Sequence, residues 1–337
     1  VARFGVIARA DQSGLAAQTL AFANHLGASA VLMLELTEKG RGPSDWSQLT
    51  PGAETFYCEG WPGDDPIRWL VDKSDVVYTA ECPYHDGLGP YCATRGVDLF
   101  LHANPELWRP VYGHGQPHVW APSGWRMDLL PPETKIVGMP VDDPPEGTEP
   151  RSEVRSFLHV CSAAMEDRNG TAQVIDAIPK IRYPCDLYVG GYDVQVGHFP
   201  AELNPLVTVH KVGPMPDRWG LYDGLADALV LPRRYGGLSL PMLEAARFAM
   251  PIVGLRTDPF GPYKGVNAQA VSAFDATGGR ITAFAANPED LAAEMNGLLC
   301  DPNYARERSA AALTWARAQS WSTRGPELRA MMGLPNG

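Results

Sequence analysis

The sequence predicts an α/β protein built as two doubly wound halves, and three observations carry that prediction. Apolar strand-like runs alternate with helix-forming segments from the first residues onward. A stretch rich in proline and acid, DDPPEGTEPR at 142–151, interrupts the alternation, which then restarts. Finally, 226–255, ADALVLPRRYGGLSLPMLEAARFAMPIVGL, reads as strand, glycine loop, helix and strand in direct succession.

The totals agree with this class. A chain of 337 residues that is 45% hydrophobic suits two domains of ordinary size with real cores. No apolar run approaches bilayer length, and the amino terminus lacks a basic region followed by an apolar core. A soluble, cytoplasmic protein without a membrane span is therefore expected. The cysteines at 58, 82, 92, 161, 185 and 300 are scattered, with no C-x-x-C pair and no His/Cys cluster at metal spacing. Reduced core thiols are the expected state. A net charge of -11 argues against a broad basic face for nucleic acid, although a local basic patch can hide in such a total.

In the first half, RFGVIAR (3–9) is a strand, and ADQSGLAAQTLAFANHL (10–26) is a glycine-containing turn leading into an amphipathic helix. SAVLMLEL (29–36) is the next strand. The glycines of this opening do not form G-x-G-x-x-G, so a dinucleotide site, and with it a nicotinamide-dependent dehydrogenase, is disfavoured. From 37 to 74 the chain is loop-rich, with TFYCEG (55–60) a short strand and PIRWLVDKS a short helix. DVVYTAE (75–81) is a strand ending in Glu81, Cys82, Pro83, Tyr84, His85 and Asp86, and VDLFLHAN (97–104) ends in His102, Asn104, Pro105 and Glu106. Both polar clusters fall just beyond strand carboxyl ends, where open α/β sheets bind ligands. HVWAPSGWRMDLLP (118–131) is a strand followed by a Ser123-capped helix, and TKIVGMPVD (134–142) closes the half.

The second half repeats the rhythm. RSFLHVCS (155–162) is a strand, EDRNG a turn, TAQVIDAIPKI (171–181) a helix, and DLYVGGYD (186–193) and LVTVHKVG (206–213) are strands. DRWGLYDGL is a helix, RITAFAA (280–286) the last strand, and PEDLAAEMNGLLC and YARERSAAALTWARAQSW terminal helices. Two Rossmann-like domains result, at 1–145 and 152–312.

In 226–255, ADALVLP suits a strand buried on both faces of a parallel sheet, and RRYGGLSL lets backbone approach a ligand closely. PMLEAARFAM starts a helix with proline in its first turn. A helix start facing a glycine loop favours negative charge, because its unpaired N–H groups and its dipole both point there. Glu244, about one turn in, is badly placed for phosphate but well placed to accept hydrogen bonds from sugar hydroxyls.

This stretch resembles the donor-site signature of retaining glycosyltransferases of the B fold, family 4 above all. Asp227, Pro232, Gly237, Leu240, Pro241, Leu243, Glu244, Ala245, Pro251 and Val253 match in register. Gly236 stands where the first glutamate of the family's paired motif is found, Arg233 at the usual serine, and Met250 at the usual glycine. The segment A-P-S-x-W and the opening I-A-R-A-D-x-S-G-L also resemble glycosyltransferases of phage type.

The resemblance implies two domains with a cleft between them, and a helix at 313–337 that crosses back to the first domain, with Trp315 and Trp321 as its anchors. It implies that Glu244 holds a donor ribose, beside Gly236, Gly237, Leu238 and Ser239. The family's phosphate-binding lysine is Asn169 here and an earlier arginine is Ala163. Arg168 therefore remains, and Arg233 and Arg234 are candidates for the missing charge, an arginine fork suiting a diphosphate. Gly213, Pro214 and Met215 are placed against the base. Asp11, Gln12, Ser13 and Gly14 face the cleft as acceptor-side candidates, the alternative being an Asx or Ser helix cap with a turn glycine. Glu81, Tyr84 and Asn104 join them. His102 and Glu106, then His85 and Glu81, are the candidates for acceptor base or proton relay, the alternative being satisfied polar residues at strand ends.

No metal and no cofactor beyond a nucleotide-diphosphate sugar is implied, and transfer with retention is the family expectation. The acceptor stays open among a modified DNA base, a virion protein, a lipid, a glycan and a small metabolite. The other function class that the sequence allows is a nucleotide-sugar binder that has lost turnover, as Gly236 and the thinned basic pair suggest.

Overall fold

The computed structural model describes residues 2–11, 13–36, 46–161, 167–190, 203–212, 218–234, 239–255, 266–268, 270–275 and 282–335. For residues 46, 47, 106, 218, 219, 266–268, 270–275 and 282–286 it describes the backbone alone. Two compact units emerge: Val1–Pro140 together with Trp321–Gly337, and Val141–Ser320.

In the first unit the apolar runs become β1 (Phe4–Arg9), β2 (Ala30–Glu35), β3 (Glu54–Glu59), β4 (Val76–Glu81), β5 (Asp98–Ala103), β6 (His118–Ala121) and β7 (Lys135–Ile136). The helices are α1 (Gly14–His25), α2 (Trp46–Leu49), α3 (Asp64–Asp72) and α4 (Leu88–Arg95). The strands pair parallel in the order β3-β2-β1-β4-β5-β6-β7. The winding reverses between β1 and β4, so the loops that leave those two strands turn away from each other. Core residues of β1, β2, β4 and β5, including Ile7, Leu32, Val77 and Leu101, pack with Ile67 and Leu70 of α3 and with Leu88 and Cys92 of α4. On other strand positions Phe4, Val6, Met33, Tyr78, Phe100 and Trp120 are buried as well. Phe22 of α1 stacks on Tyr78 at 4.0 Å and meets Trp321 edge-on at 5.1 Å.

Several expectations fail for local reasons. The helix placed after 121 is absent: Ser123 Oγ accepts from the Trp125 amide in a two-residue turn, and Arg126 takes a left-handed φ of 51°. Only a turn of 3₁₀ helix, Met127–Leu129, follows. The closing strand shrinks to β7, and DRWGLYDGL forms only the 3₁₀ turn Arg218–Leu221. The opening helix, by contrast, follows its turn as expected, starting at Gly14 with Ser13 as its cap.

The second unit contains β8 (Ser156–Val160), β9 (Cys185–Gly190), β10 (Val207–Lys211), β11 (Ala228–Val230), β12 (Ile252–Leu255), β13 (Val266–Ala268), β14 (Ala270–Asp275) and β15 (Thr282–Ala286). Its helices are α5 (Thr171–Ala177), α6 (Leu240–Arg247), α7 (Pro288–Cys300) and α8 (Pro302–Ala318). The parallel sheet runs β10-β9-β8-β11-β12-β13 and reverses between β8 and β11. The antiparallel pair β14–β15 stands outside it. Phe157, Leu187 and Val230 pack with Val174 of α5 and with Leu291 and Met295 of α7. Leu158, Leu229 and Ile252 pack with Met242 and Ala245 of α6 and with Ala312 and Ala316 of α8.

The segment 142–151, read from sequence as the linker, falls inside the second unit. Arg151 explains why: its amide donates to Ser309 Oγ at 2.7 Å, and its guanidinium donates to the Ala226 and Phe248 carbonyls. Trp315 packs within the second unit beside the α6–α8 core, whereas Trp321 opens α9 (Trp321–Met331) and stacks on His25 at 4.5 Å in the first. All six cysteines are unpaired: four are buried, Cys58 is half-buried, and Cys300 is exposed rather than in the core.

Gly170 joins the two elements nearest the β8–β11 reversal. It holds φ of +74° before α5, and a Cβ there would lie 2.4 Å from the Pro232 carbonyl oxygen. Backbone cannot yield as a flexible side chain does. Gly170→Ala should therefore destabilise by about 2–4 kcal/mol, read by urea unfolding; a loss below about 0.5 kcal/mol would contradict this packing.

Candidate functional site

The two reversals place two polar sites at strand carboxyl ends, where diverging loops leave room for a ligand.

In the first unit β1 ends on Arg9 and its neighbour β4 ends on Glu81. Arg9 Nε donates to Asp11 Oδ2 at 2.7 Å and its NH1 lies 3.3 Å from Glu81 Oε2. Burial opposes the Arg9 charge while Asp11, Tyr84 and Glu81 favour it, and the balance raises its pKa. Asp11 Oδ1 accepts from the Ser13 amide at 2.8 Å and Ser13 Oγ from the Ala16 amide at 3.2 Å. Asp11 and Ser13 thus make the Asx turn and the helix cap, with Gly14 as the first residue of α1. Gln12 lies outside the described residues.

Tyr84 is buried and its hydroxyl donates to Glu81 Oε2 at 3.1 Å; burial, then Glu81, drives its pKa far above the usual phenol value. Glu81 and Tyr84 both hold left-handed φ, 72° and 59°, which is uncommon for any side chain and unusual for a bulky one. His85 Nδ1 accepts from the Gly87 amide at 3.0 Å while Nε2 lies 3.3 Å from Asp64 Oδ1. The Asn104 amide donates to the Glu81 carbonyl at 3.2 Å, tying the two polar clusters together. Glu106 lies in the 3₁₀ turn Pro105–Leu107, and its side chain lies outside the described residues.

His102 is not at this rim. It is 2% exposed, inside an aromatic cage of Phe22, Tyr78 and Trp120, with Nδ1 3.2 Å from the Tyr78 hydroxyl. Burial depresses its pKa to about 4, the Val137 backbone partly opposing. A neutral imidazole sealed among aromatic rings is a core residue, and the expected role as proton relay is corrected accordingly. It was misread because β5 alternates faces: Leu101 and Ala103 point to the α3–α4 core, which leaves His102 to the opposite, equally buried face.

In the second unit the ends of β8 and β11 bring Arg168, Asn169, Arg233 and Arg234 together. The Arg234 amide donates to the Arg168 carbonyl at 2.9 Å, and Arg234 NH1 lies 3.8 Å from Asp167 Oδ2. Arg233 NH1 donates to Asn169 Oδ1 at 3.4 Å, and Asn169 Nδ2 to the Val160 carbonyl at 2.8 Å. The Nε atoms of all three arginines are buried. Asp167 is committed elsewhere as well: it accepts from the Thr171 and Ala172 amides and so caps α5 with the chain's own carboxylate. Three arginines and Asp167 thus meet at this edge of the second sheet.

Helix α6 starts beside β11. Ser239, its N-cap residue, is 1% exposed, and its Oγ has no hydrogen-bond partner among the described residues. Glu244 is 7% exposed, on the second turn, flanked by buried Leu243 and Ala245. Gly236, Gly237, Leu238, Gly213, Pro214 and Met215 lie outside the described residues. Asp227, the first residue of the matched signature, sits at the other end of β11, where its Oδ2 accepts from Ser156 Oγ at 2.8 Å and the Arg155 amide at 2.9 Å. Its part is to hold two strands together.

Sequence reasoning missed Arg9 and the exposed Trp61. A charge ending the apolar run FGVIA was the available signal for Arg9; an aromatic between Gly60 and Pro62 gave little.

No protein-family model matches the chain, and no curated protein matches it in sequence. Solved structures do match in fold. HepE of Anabaena in complex with UDP and glucose superposes with TM-score 0.67 at 12% identity, covering 99% of this chain and 100% of that one. The lipopolysaccharide outer core galactosyltransferase WaaB gives 0.64 at 14% identity over 98% and 99% of the two chains. A sucrose-phosphate synthase from Thermosynechococcus elongatus gives 0.68 at 12% identity over 98% of each. The chain has the two-domain B fold of glycosyltransferases.

The His102 environment makes a pH prediction. An unfolded histidine titrates near 6.5 and the buried one near 4, so between these values the unfolded state binds more protons. Stability is full above about pH 6.5 and falls as pH drops toward 4, by about 3 kcal/mol for this residue. Urea unfolding across that window should show the slope, and His102→Phe should flatten it. An unchanged slope in the variant would contradict a neutral buried imidazole.

Proposed function

We propose that the chain is a glycosyltransferase that moves a sugar from a nucleoside-diphosphate donor to an acceptor hydroxyl, with retention and without a metal. The observation that carries this reading is the start of α6: a buried serine hydroxyl with no partner among the described residues and a buried carboxylate, beside a cluster of arginines at the reversal of a parallel sheet. Glu244 lies one turn beyond Ser239 on the same helix, and in this reading its carboxylate accepts from the ribose hydroxyls. The likeness of the whole chain to glycosyltransferases, one of them holding UDP and glucose, supports the same reading.

In this reading Arg168, Arg233 and Arg234 offset the diphosphate charge, and Ser239 Oγ at the start of α6 donates to a phosphoryl oxygen. A leaving group stabilised in this way departs as the acceptor hydroxyl attacks from the same face, which gives retention without a protein nucleophile. With His102 in the core, the proton acceptor is sought at the first unit's rim, in Glu81 and His85. A binder without turnover is the second reading, favoured by Asn169, whose amide is spent on the Val160 carbonyl and Arg233 where a phosphate-binding lysine was expected.

UDP is the probe. At a hundredfold excess over Kd it should stabilise the native chain by about 2.7 kcal/mol, a rise of several degrees in Tm. Glu244→Gln should weaken UDP binding about tenfold or more by calorimetry. Sugar transfer from UDP-sugars favours the enzyme, and tight binding without transfer favours the second reading. No shift with UDP, GDP or ADP would overturn both.

A further inference from the structure

Trp61 follows β3 with its indole 64% exposed, the most exposed large apolar side chain among the described residues. It is not a stray surface residue. Its ring lies 5.6 Å from the ring of Tyr84, which is itself buried and anchored by its hydroxyl to Glu81. Tyr84 reaches that position only because Glu81 and Tyr84 hold left-handed backbone. Thr79 Oγ1 donates to the Cys82 carbonyl at 2.9 Å and the Cys82 amide to the Ala80 carbonyl at 2.9 Å, locking the turn between them. Backbone strain of this kind persists where the surroundings enforce it, and it clusters at ligand sites. Here it sets the exposed indole against the Tyr84 ring, tilted 47° to it, just beyond the carboxyl end of β3.

The charges around that face select the occupant. Glu59, Asp64 and Asp65 flank Trp61 in the chain, and the Glu81 carboxylate, 17% exposed, lies behind Tyr84. Among the described residues the nearby cations are engaged: Arg68 with the Tyr91 hydroxyl and Asp64, and Arg9 with Asp11 and Glu81. A phosphate-bearing partner, whether nucleic acid or anionic headgroup, would meet carboxylates. A neutral ligand with a flat apolar face and a rim of hydroxyls would meet an indole for the one and carboxylate or imidazole acceptors for the other.

We propose that Trp61 is the platform of an acceptor subsite for a neutral saccharide, with the Asp64–His85 pair and Glu81 as hydroxyl partners. This assignment rests on the glycosyltransferase reading and names its acceptor class, in place of a DNA base.

The test is saturation-transfer NMR on the full chain with maltose, lactose and a thymidine hexanucleotide at about 10 mM each, the range that detects millimolar affinity. Neutral disaccharide should show saturation on the wild type, about tenfold less on Trp61→Ala, and most of its signal on Trp61→Phe, which keeps an aromatic face. Trp61 is exposed, so the variants should fold, as circular dichroism will show. The subsite is overturned if neither disaccharide binds the wild type, if Trp61→Ala binds equally well, or if the oligonucleotide is preferred. UDP titration of the same wild-type sample separates the two claims. UDP binding without saccharide binding removes the subsite alone, whereas saccharide binding without UDP binding leaves the platform and removes the donor reading.

Discussion

Everything functional in this chain depends on one constraint of parallel sheets: all their strands end on the same edge. With helices covering both faces, that edge is where polar side chains and backbone can meet a ligand. Each sheet here reverses its winding once, between β1 and β4 and between β8 and β11. The loops diverge at those two places, and there the polar clusters lie. Arg9 and Glu81 are the last residues of adjacent strands in one unit; Arg233 and Arg168 follow adjacent strands in the other. Strand order thus brings together residues that are 72 and 65 positions apart in the chain.

The two edges differ in charge. Among the described residues the first gathers Asp11, Glu81 and Asp64 with Arg9 and Arg68; the second gathers Arg168, Arg233 and Arg234, with Asp167 also capping α5. An overall charge of -11 conceals this division. In the proposed reading the diphosphate goes with the guanidinium groups and the hydroxyl to be deprotonated with the carboxylates.

The strands were legible in the sequence because apolar runs such as AVLML and ALVL have no other home than a doubly covered sheet. The start of α6 was legible too, since glycine, serine and proline there each have a local reason. Helix α4 was not foreseen, because its sequence, LGPYCATR, carries a glycine and a proline in its first turn. The boundary was misplaced because DDPPEGTEP looks like solvated linker, while the next residue, Arg151, anchors the segment through three hydrogen bonds. Site residues were harder still. His102, next to last in β5, and Glu81, last in β4, look alike in sequence; strand register pairs His102 with Ala80 and turns it into an aromatic core, while Glu81 reaches the rim. Arg9 was passed over because its importance comes from Glu81, which no local window contains.

The central claim is that a nucleoside diphosphate binds at the β8–β11 reversal and the start of α6. Hydrogen–deuterium exchange of the full chain with and without saturating UDP tests it at the level of peptides. Added protection should concentrate in peptides spanning 167–172 and 231–244, with β10 and the first unit's β3 unchanged. Protection confined to the edge of the first sheet, around 9–13 and 81–87, would contradict the account.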